Sequence, residues 1–224
     1  MSQYSITFTL LSDATFGSGD GVAGLIDREV SYDRYGLPFL KGRTLKGLLR
    51  EEVYNILDSL QAIGIANYSQ WEDACIALLG YSKSEQRQAA TLHYGSAQLP
   101  KPIRDTVRKS LSAQGNDLLP HEVLGSLTAV RRQTAITPEG LPVDASLRTM
   151  RVILRQTPFV SNLRGKRPLT NIEIALLAAT VLAFRRAGTG RNRGRGLLQA
   201  DLLNADGDSI LKTGYDIFVQ EAGL

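Results

Sequence analysis

Two hydrophobic periods alternate along this chain, and their order narrows what it can fold into. Tyr4, Ile6, Phe8 and Leu10 alternate with Gln3, Ser5, Thr7 and Thr9, the period-two pattern of a half-buried strand. Leu45, Leu48, Leu49, Val53, Ile56, Leu57 and Leu60 then mark one face of an amphipathic helix. A second helix is predicted over residues 70–79, with Gly80 as its C-cap. Residues 91–97 read as a strand, and residues 101–120 are polar and predict irregular chain. Residues 126–154, rich in Thr, Val and Arg, predict a long hairpin around Pro138-Glu139-Gly140. Residues 159–163 predict another strand. Thr170 and Glu173 fit a capping box that opens an apolar helix running to about Ala187, with Gly188 as its C-cap. Residues 197–203 read as a closing strand.

Strand, helix, strand, strand, helix, strand is the order of a ferredoxin-like α+β fold of the RNA-recognition type, with the hairpin and the polar stretches as insertions. A chain of 224 residues with 43% hydrophobic content supplies one sizeable core. The apolar stretch 174–184 is too short to span a bilayer, and nothing at the N-terminus resembles a signal peptide, so a soluble, cytoplasmic protein is expected. The single cysteine, Cys75, excludes an intramolecular disulfide and a cysteine-rich metal site; its spacing from Trp71, Leu78 and Leu79 places it in the core.

The net charge of +4 is unevenly spread. Residues 126–200 hold 13 Lys and Arg against three acids, Glu139, Asp144 and Glu173, which makes that segment +10 and the remainder −6. A basic block on an otherwise acidic chain points to a local nucleic-acid surface or an acidic protein partner. Its densest part follows the apolar helix, where Arg191, Arg193 and Arg195 stand among Gly188, Gly190, Gly194 and Gly196. Glycine lets backbone approach a bulky partner, and arginine presents a fixed fork of donors suited to phosphate. Arg43, Lys46 and Arg50 recur along a second face of the first long helix, just after Lys41.

Other motifs carry less. Gly19, Gly21 and Gly24 match G-x-G-x-x-G after a strand, but residues 25–35 lack the helical period a dinucleotide site requires. His93 and His121 have no Cys or acidic cluster around them to complete a metal site, and each reads as a surface residue or a general base. Asp13, Asp20, Asp27, Glu29 and Asp33 gather around the glycine-rich loop, where a carboxylate placed at an RNA backbone could act as a base or a metal ligand.

Several pieces together resemble one family. Ala23-Gly24-Leu25-Ile26-Asp27-Arg28-Glu29-Val30, followed by Gly36-Leu37-Pro38-Phe39-Leu40-Lys41-Gly42-Arg43-Thr44-Leu45-Lys46-Gly47, is similar to the N-terminal signature of the RAMP superfamily of CRISPR proteins, most closely the backbone subunits of type III effector complexes. Residues 78–97 resemble the family's middle segment, with Leu79-Gly80 and Ser96-Ala97 where the family has Phe-Gly and Asp-Ala. Arg131-Arg132-Gln133-Thr134-Ala135 with Ser146-Leu147-Arg148-Thr149-Met150-Arg151 looks like its thumb hairpin, and residues 188–196 resemble its Gly–Arg loop. The resemblance implies a single RAMP domain, with a palm over residues 1–125 and 155–224 and a thumb over about 126–154. It implies binding to a guide RNA, a target RNA and other RAMP subunits. Lys41, Arg43, Lys46, Arg50, Arg131, Arg132, Arg148, Arg151, Arg191, Arg193 and Arg195 are the expected RNA contacts. In target-cleaving members a loop aspartate cuts the target, with a divalent metal such as Mg²⁺; the matching residue is Asp27. A non-cleaving structural paralogue, a repeat-RNA processing endonuclease and a general RNA-binding module stand as alternatives.

Overall fold

The computed structural model describes residues 3–19, 21, 26–83, 86–114, 117–143 and 145–224. Asp20, residues 22–25 of the glycine-rich loop (with the start of the resembling segment), two positions of the middle segment and Asp144 lie outside the described residues. In chain order the elements are β1 (Gln3–Leu10), β2 (Phe39–Leu40), α1 (Gly42–Ala62), α2 (Tyr68–Leu79), β3 (Tyr81–Lys83), β4 (Gln86–Gln88), β5 (Leu92–Tyr94), β6 (Ala97–Gln98), α3 (Lys101–Ser112), α4 (Pro120–Leu127), β7 (Thr128–Gln133), β8 (Arg148–Ile153), β9 (Pro158–Gly165), α5 (Asn171–Ala183), a 3₁₀ turn (Arg191–Arg193), β10 (Leu198–Leu203) and α6 (Leu211–Ala222).

The main sheet runs β10-β1-β9-β6-β2, with β5 also on β9, and its long strand pairs are antiparallel. Reduced to its four principal strand positions, this is the ferredoxin-like order, with β1 and β9 central and the two helical crossovers leading into β5 and β10. Phe8 stands opposite Phe159 in the register, their rings stacked at 5.2 Å, and Phe184 meets Phe8 edge-on at 5.8 Å. Such ring pairs add about 0.5–1.5 kcal/mol beyond the area they bury. Helices α1, α2, α5 and α6 pack together on the sheet. Cys75 is buried on α2, beside Trp71, as its spacing predicts.

The capping box at α5 is present: Thr170 Oγ1 accepts the Glu173 N–H and Glu173 Oε2 accepts the Thr170 N–H at 2.9 Å. The helix stops at Ala183 with Phe184 as its C-cap, earlier than the expected end near Ala187, because Phe184 turns into the aromatic core. Gly188 therefore does not cap it. The expected strand at 91–97 is broken into β5 and β6: the Gly95 N–H still bonds Asn162 O in the β5–β9 register, but β6 pairs with β9 one residue out of that register, Gln98 opposite Val160.

The expected irregular chain at 101–120 is helical over Lys101–Ser112. Helix α3 forms there with Ile103, Val107 and Leu111 as a narrow apolar line, and α4 opens at Pro120. No α3 residue is fully buried, which is why its composition reads as loop. Helix α6 lies beyond any sequence expectation. It buries Gly214, Phe218 and Ala222, and two small residues in three leave a weak periodic signal. No helix among the described residues is long and apolar enough to cross a membrane.

Candidate nucleic-acid interface

The hairpin forms as a separate two-stranded ribbon in which β7 and β8 pair from Thr128↔Ile153 to Gln133↔Arg148. Its base is anchored: Thr128, Val152 and Ile153 are buried, and Ala14 bridges Ile153. Its far end is solvated, with Ile136, Leu141 and Leu147 more than half exposed. Residues 26–30 run alongside β8, with Arg28 bridged in parallel to Met150. Asp27 is thereby held beside the outer end of the paired strands, where Thr149 faces Arg132. Its N–H donates to Thr149 O at 2.8 Å, and its Oδ2 accepts the Thr149 N–H at 2.6 Å, while the carboxylate stays exposed.

Arg151 secures this arrangement from inside. Its Nε donates to both oxygens of buried Glu29, at 2.9 and 3.1 Å, and its Nη1 to Thr128 Oγ1 at 3.3 Å. The Val30 N–H adds a bond to Glu29 Oε1. Arg151 thus ties the Asp27 strand to both strands of the ribbon.

The Gly–Arg loop closes the same site. At Gly196 (φ +68°) a Cβ would stand 1.9 Å from Ala187 O, so glycine alone permits the pairing that folds the loop back after α5. Its arginines then separate. Arg191 pairs with Glu51 of α1 at 3.0 Å, and Arg195 lies against the Met150 sulfur. Arg193 is exposed and has no side-chain partner among the described residues. It lines a cavity of about 450 Å³ together with Asp27, Arg28, Thr134, Arg148 and Thr149. An adjoining cavity of about 680 Å³, lined by Arg185, Arg186 and residues 188–193, shares Arg28 and Arg193 with the first. The two form one mostly cationic trough, with Asp27 at the ribbon end and Glu51 and Glu52 of α1 at the other.

The remaining predicted residues are spread out. Lys41 is exposed and its Nζ reaches Ser18 O at 3.3 Å, beside the pairing of Ser18 with Glu29. Arg43 is exposed on the first turn of α1. The turn begins at Gly42, where a Cβ would meet Tyr94 O at 2.3 Å, so the Gly-Arg-Thr-Leu-Lys-Gly element packs the helix start directly under the end of β5. Lys46 lies over the Tyr94 ring at 5.7 Å; burial, then the adjacent Arg50 charge, hold its ammonium below the ordinary lysine range. Arg50 turns inward to Leu79 O at 3.1 Å. Arg131 pairs with Asp13 at 2.9 Å, and Arg132 is exposed on the ribbon. Arg28 was missed by sequence reasoning, because the charge imbalance was drawn from residue 126 onward; its position directly after Asp27 is the signal that finds it.

His93 on β5 and His121 on α4 are exposed and line neither part of the trough. Among the described residues no three His, Cys, Asp or Glu side chains gather as a metal site. Glu29, the nearest acid in sequence to Asp27, is spent on Arg151. Among the described residues, the protein's own donors at the trough thus do not make a metal cage.

The family model described as the RAMP superfamily matches residues 7–199. No curated protein matches the sequence. Among solved structures, the chain is similar to one in the cryo-EM structure of type III-B Cmr-beta bound to cognate target RNA (TM-score 0.62, 13% identity, covering 95% of this chain and 98% of that one). It is similar to a chain of the apo type III-B Cmr-beta structure (TM-score 0.61, 14% identity, 91% and 97% covered) and of a type IV-B CRISPR complex (TM-score 0.55, 12% identity, 89% and 90% covered).

Proposed function

The chain belongs to the RAMP superfamily, and on that premise we propose that it is a guide-RNA-binding subunit of a cytoplasmic CRISPR effector complex that cleaves target RNA with Asp27. The observation that carries the reading is the trough itself: an exposed carboxylate fixed beside the outer end of the paired ribbon strands, facing Arg28, Arg148 and Arg193. Guide sequences vary, so a subunit of this kind should hold sugar and phosphate rather than base edges. Arginines on a trough wall suit that task. The ribbon, with its anchored base and solvated tip, is the part suited to slip between guide and target strands and splay a base pair.

The chemistry assigned to the chain is modest. Oδ2 of Asp27 is occupied by the Thr149 N–H, which leaves Oδ1 to accept the proton of a 2′-OH aligned with its own phosphate. The neighbouring guanidinium groups are placed to neutralise charge that builds on the phosphate oxygens. A divalent ion such as Mg²⁺ would draw one oxygen from Asp27 and the rest of its ligands from RNA and water.

One observation favours the non-cleaving alternative: the short Asp27–Thr149 bond is also what a purely structural aspartate would make to order its strand. Asp27→Ala in the assembled complex separates the two. Loss of one or more target cuts, with target RNA still bound, supports cleavage; undiminished cutting at every site reduces the chain to a structural subunit.

A further inference from the structure

A second basic surface lies outside both the trough and the basic block. Helix α3 carries Lys101, Arg104, Arg108 and Lys109, which share one side of the helix at spacings of three, four and eight. Tyr35 lies against it. The Arg108 Cζ stands 5.2 Å from the Tyr35 ring centroid, and the Arg34 Cζ stands 4.8 Å from the same centroid. Arg34 also donates to the Tyr35 hydroxyl at 2.6 Å. Two guanidinium groups are thus gathered on one ring, although like charges repel. The Arg108 Nε is buried without a partner among the described residues. Arg104 is braced on Leu99 O at 2.8 Å, so the row is held in place. Of the nearby acids, Asp105 is paired with Lys101, and Asp33 is occupied by the Tyr35 and Leu37 N–H groups.

We propose that α3 and the Arg34–Tyr35 turn form a second contact surface for single-stranded RNA, separate from the Asp27 trough. Single-stranded RNA is the partner with the matching chemistry: phosphates for a row of cations about 5–6 Å apart, and bases that stack on guanidinium and aromatic planes. Arg34 is seven residues from Asp27, so the two surfaces lie within about 25 Å of each other even along a fully extended chain. One strand of RNA can reach both. The inference rests on the RNA-binding reading above and extends it to a surface that reading does not use.

The test is fluorescence anisotropy with the full chain and labelled single-stranded RNA, a mixed-sequence 30-mer and a 6-mer, across a salt series. The variants are Arg34→Gln/Arg108→Gln and, as the trough control, Arg148→Ala/Arg193→Ala. Expected for the first is roughly three- to tenfold weaker binding of the 30-mer, a salt slope shallower by about 0.7 per lost phosphate contact, and loss of most of the advantage of the 30-mer over the 6-mer. If thermal melting shows that the double variant is unfolded, Lys109→Glu, at an exposed position, reads the same surface. Binding unchanged by either α3-surface variant while the trough control weakens it overturns the inference, and an acidic protein would then be the partner this face fits. Binding unchanged by the trough control as well overturns the RNA reading itself.

Discussion

Asp27 and Thr149 exchange two hydrogen bonds, the Asp27 N–H to Thr149 O and the Thr149 N–H to Asp27 Oδ2, across 122 residues of sequence. The proposed catalytic carboxylate is therefore a structural part of the ribbon, beside the outer end of its paired strands. Its chemistry and its packing can be separated by the choice of substitution. Asp27→Asn keeps an oxygen for the Thr149 N–H, so its stability should stay within about 0.5 kcal/mol of wild type, whereas Asp27→Ala should lose about 1 kcal/mol. Both should lose target cleavage in the assembled complex. Urea unfolding and a cleavage gel check the two halves; an Asn variant that still cuts removes Asp27 from the chemistry.

Arg151 belongs to the expected RNA contacts, yet its guanidinium is turned onto Glu29. Removing it should act first on stability. Arg151→Met leaves the Glu29 carboxylate buried without its partner, at a cost of about 3 kcal/mol, and Glu29→Gln added to it should recover part of that loss. Urea midpoints of the single and double variants measure the coupling. A destabilisation below about 0.5 kcal/mol, the usual range for a surface position, would mean the pair does not anchor the ribbon.

The ribbon tip should be separable from the rest. Deleting residues 137–145 with a short Gly-Ser closure removes, among the described residues, mostly exposed chain and no core side chain, so the melting temperature should fall by no more than a few degrees while target handling changes. Loss of the cooperative transition would show that the tip supports the fold.

What could be read from the sequence follows the strength of its periodic signals. β1, α1, α5 and the capping box were legible because Ile6, Phe8 and Leu10, the leucine face of α1, and Thr170 with Glu173 each state their structure locally. Helix α3 was not, because its face is half exposed and its charges resemble a loop; α6 was not, because Gly214 and Ala222 bury a face without adding hydrophobicity. In the site, Asp27, Arg148 and Arg193 were identified from motif and charge and do line one cavity. The inward roles of Arg50, Arg151 and Arg195 depend on partners far away in sequence, Leu79, Glu29 and Met150, which no local pattern reveals.

The three arginines of the Gly–Arg loop should differ in effect. Arg193→Ala should weaken RNA binding for all sequences alike and make the salt slope shallower by about one unit or less. Arg191→Ala should have a smaller effect, since that side chain already spends itself on Glu51, and Arg195→Ala should show mainly as lost packing on Met150. Salt-titrated RNA binding of the three single variants ranks them; equal losses at all three positions would mean the loop rearranges on RNA.

Glu173 supplies a pH test. Burial opposes its charged form, but hydrogen bonds from Arg167 and Thr170 outweigh that and hold the carboxyl below the ordinary glutamate range. A carboxyl with a depressed folded-state pKa contributes stability above its unfolded value, about 4.3, and loses it as the pH falls through the folded value. Glu173→Gln keeps a capping-box side chain and abolishes the titration. The stability gap between wild type and variant should therefore be constant from pH 7 to about 5 and close as the pH drops below about 4. Urea midpoints at pH 7, 5 and 3 measure it. A gap that persists undiminished at pH 3 would mean the Arg167–Glu173 pairing contributes through packing, with no stabilisation linked to its charge.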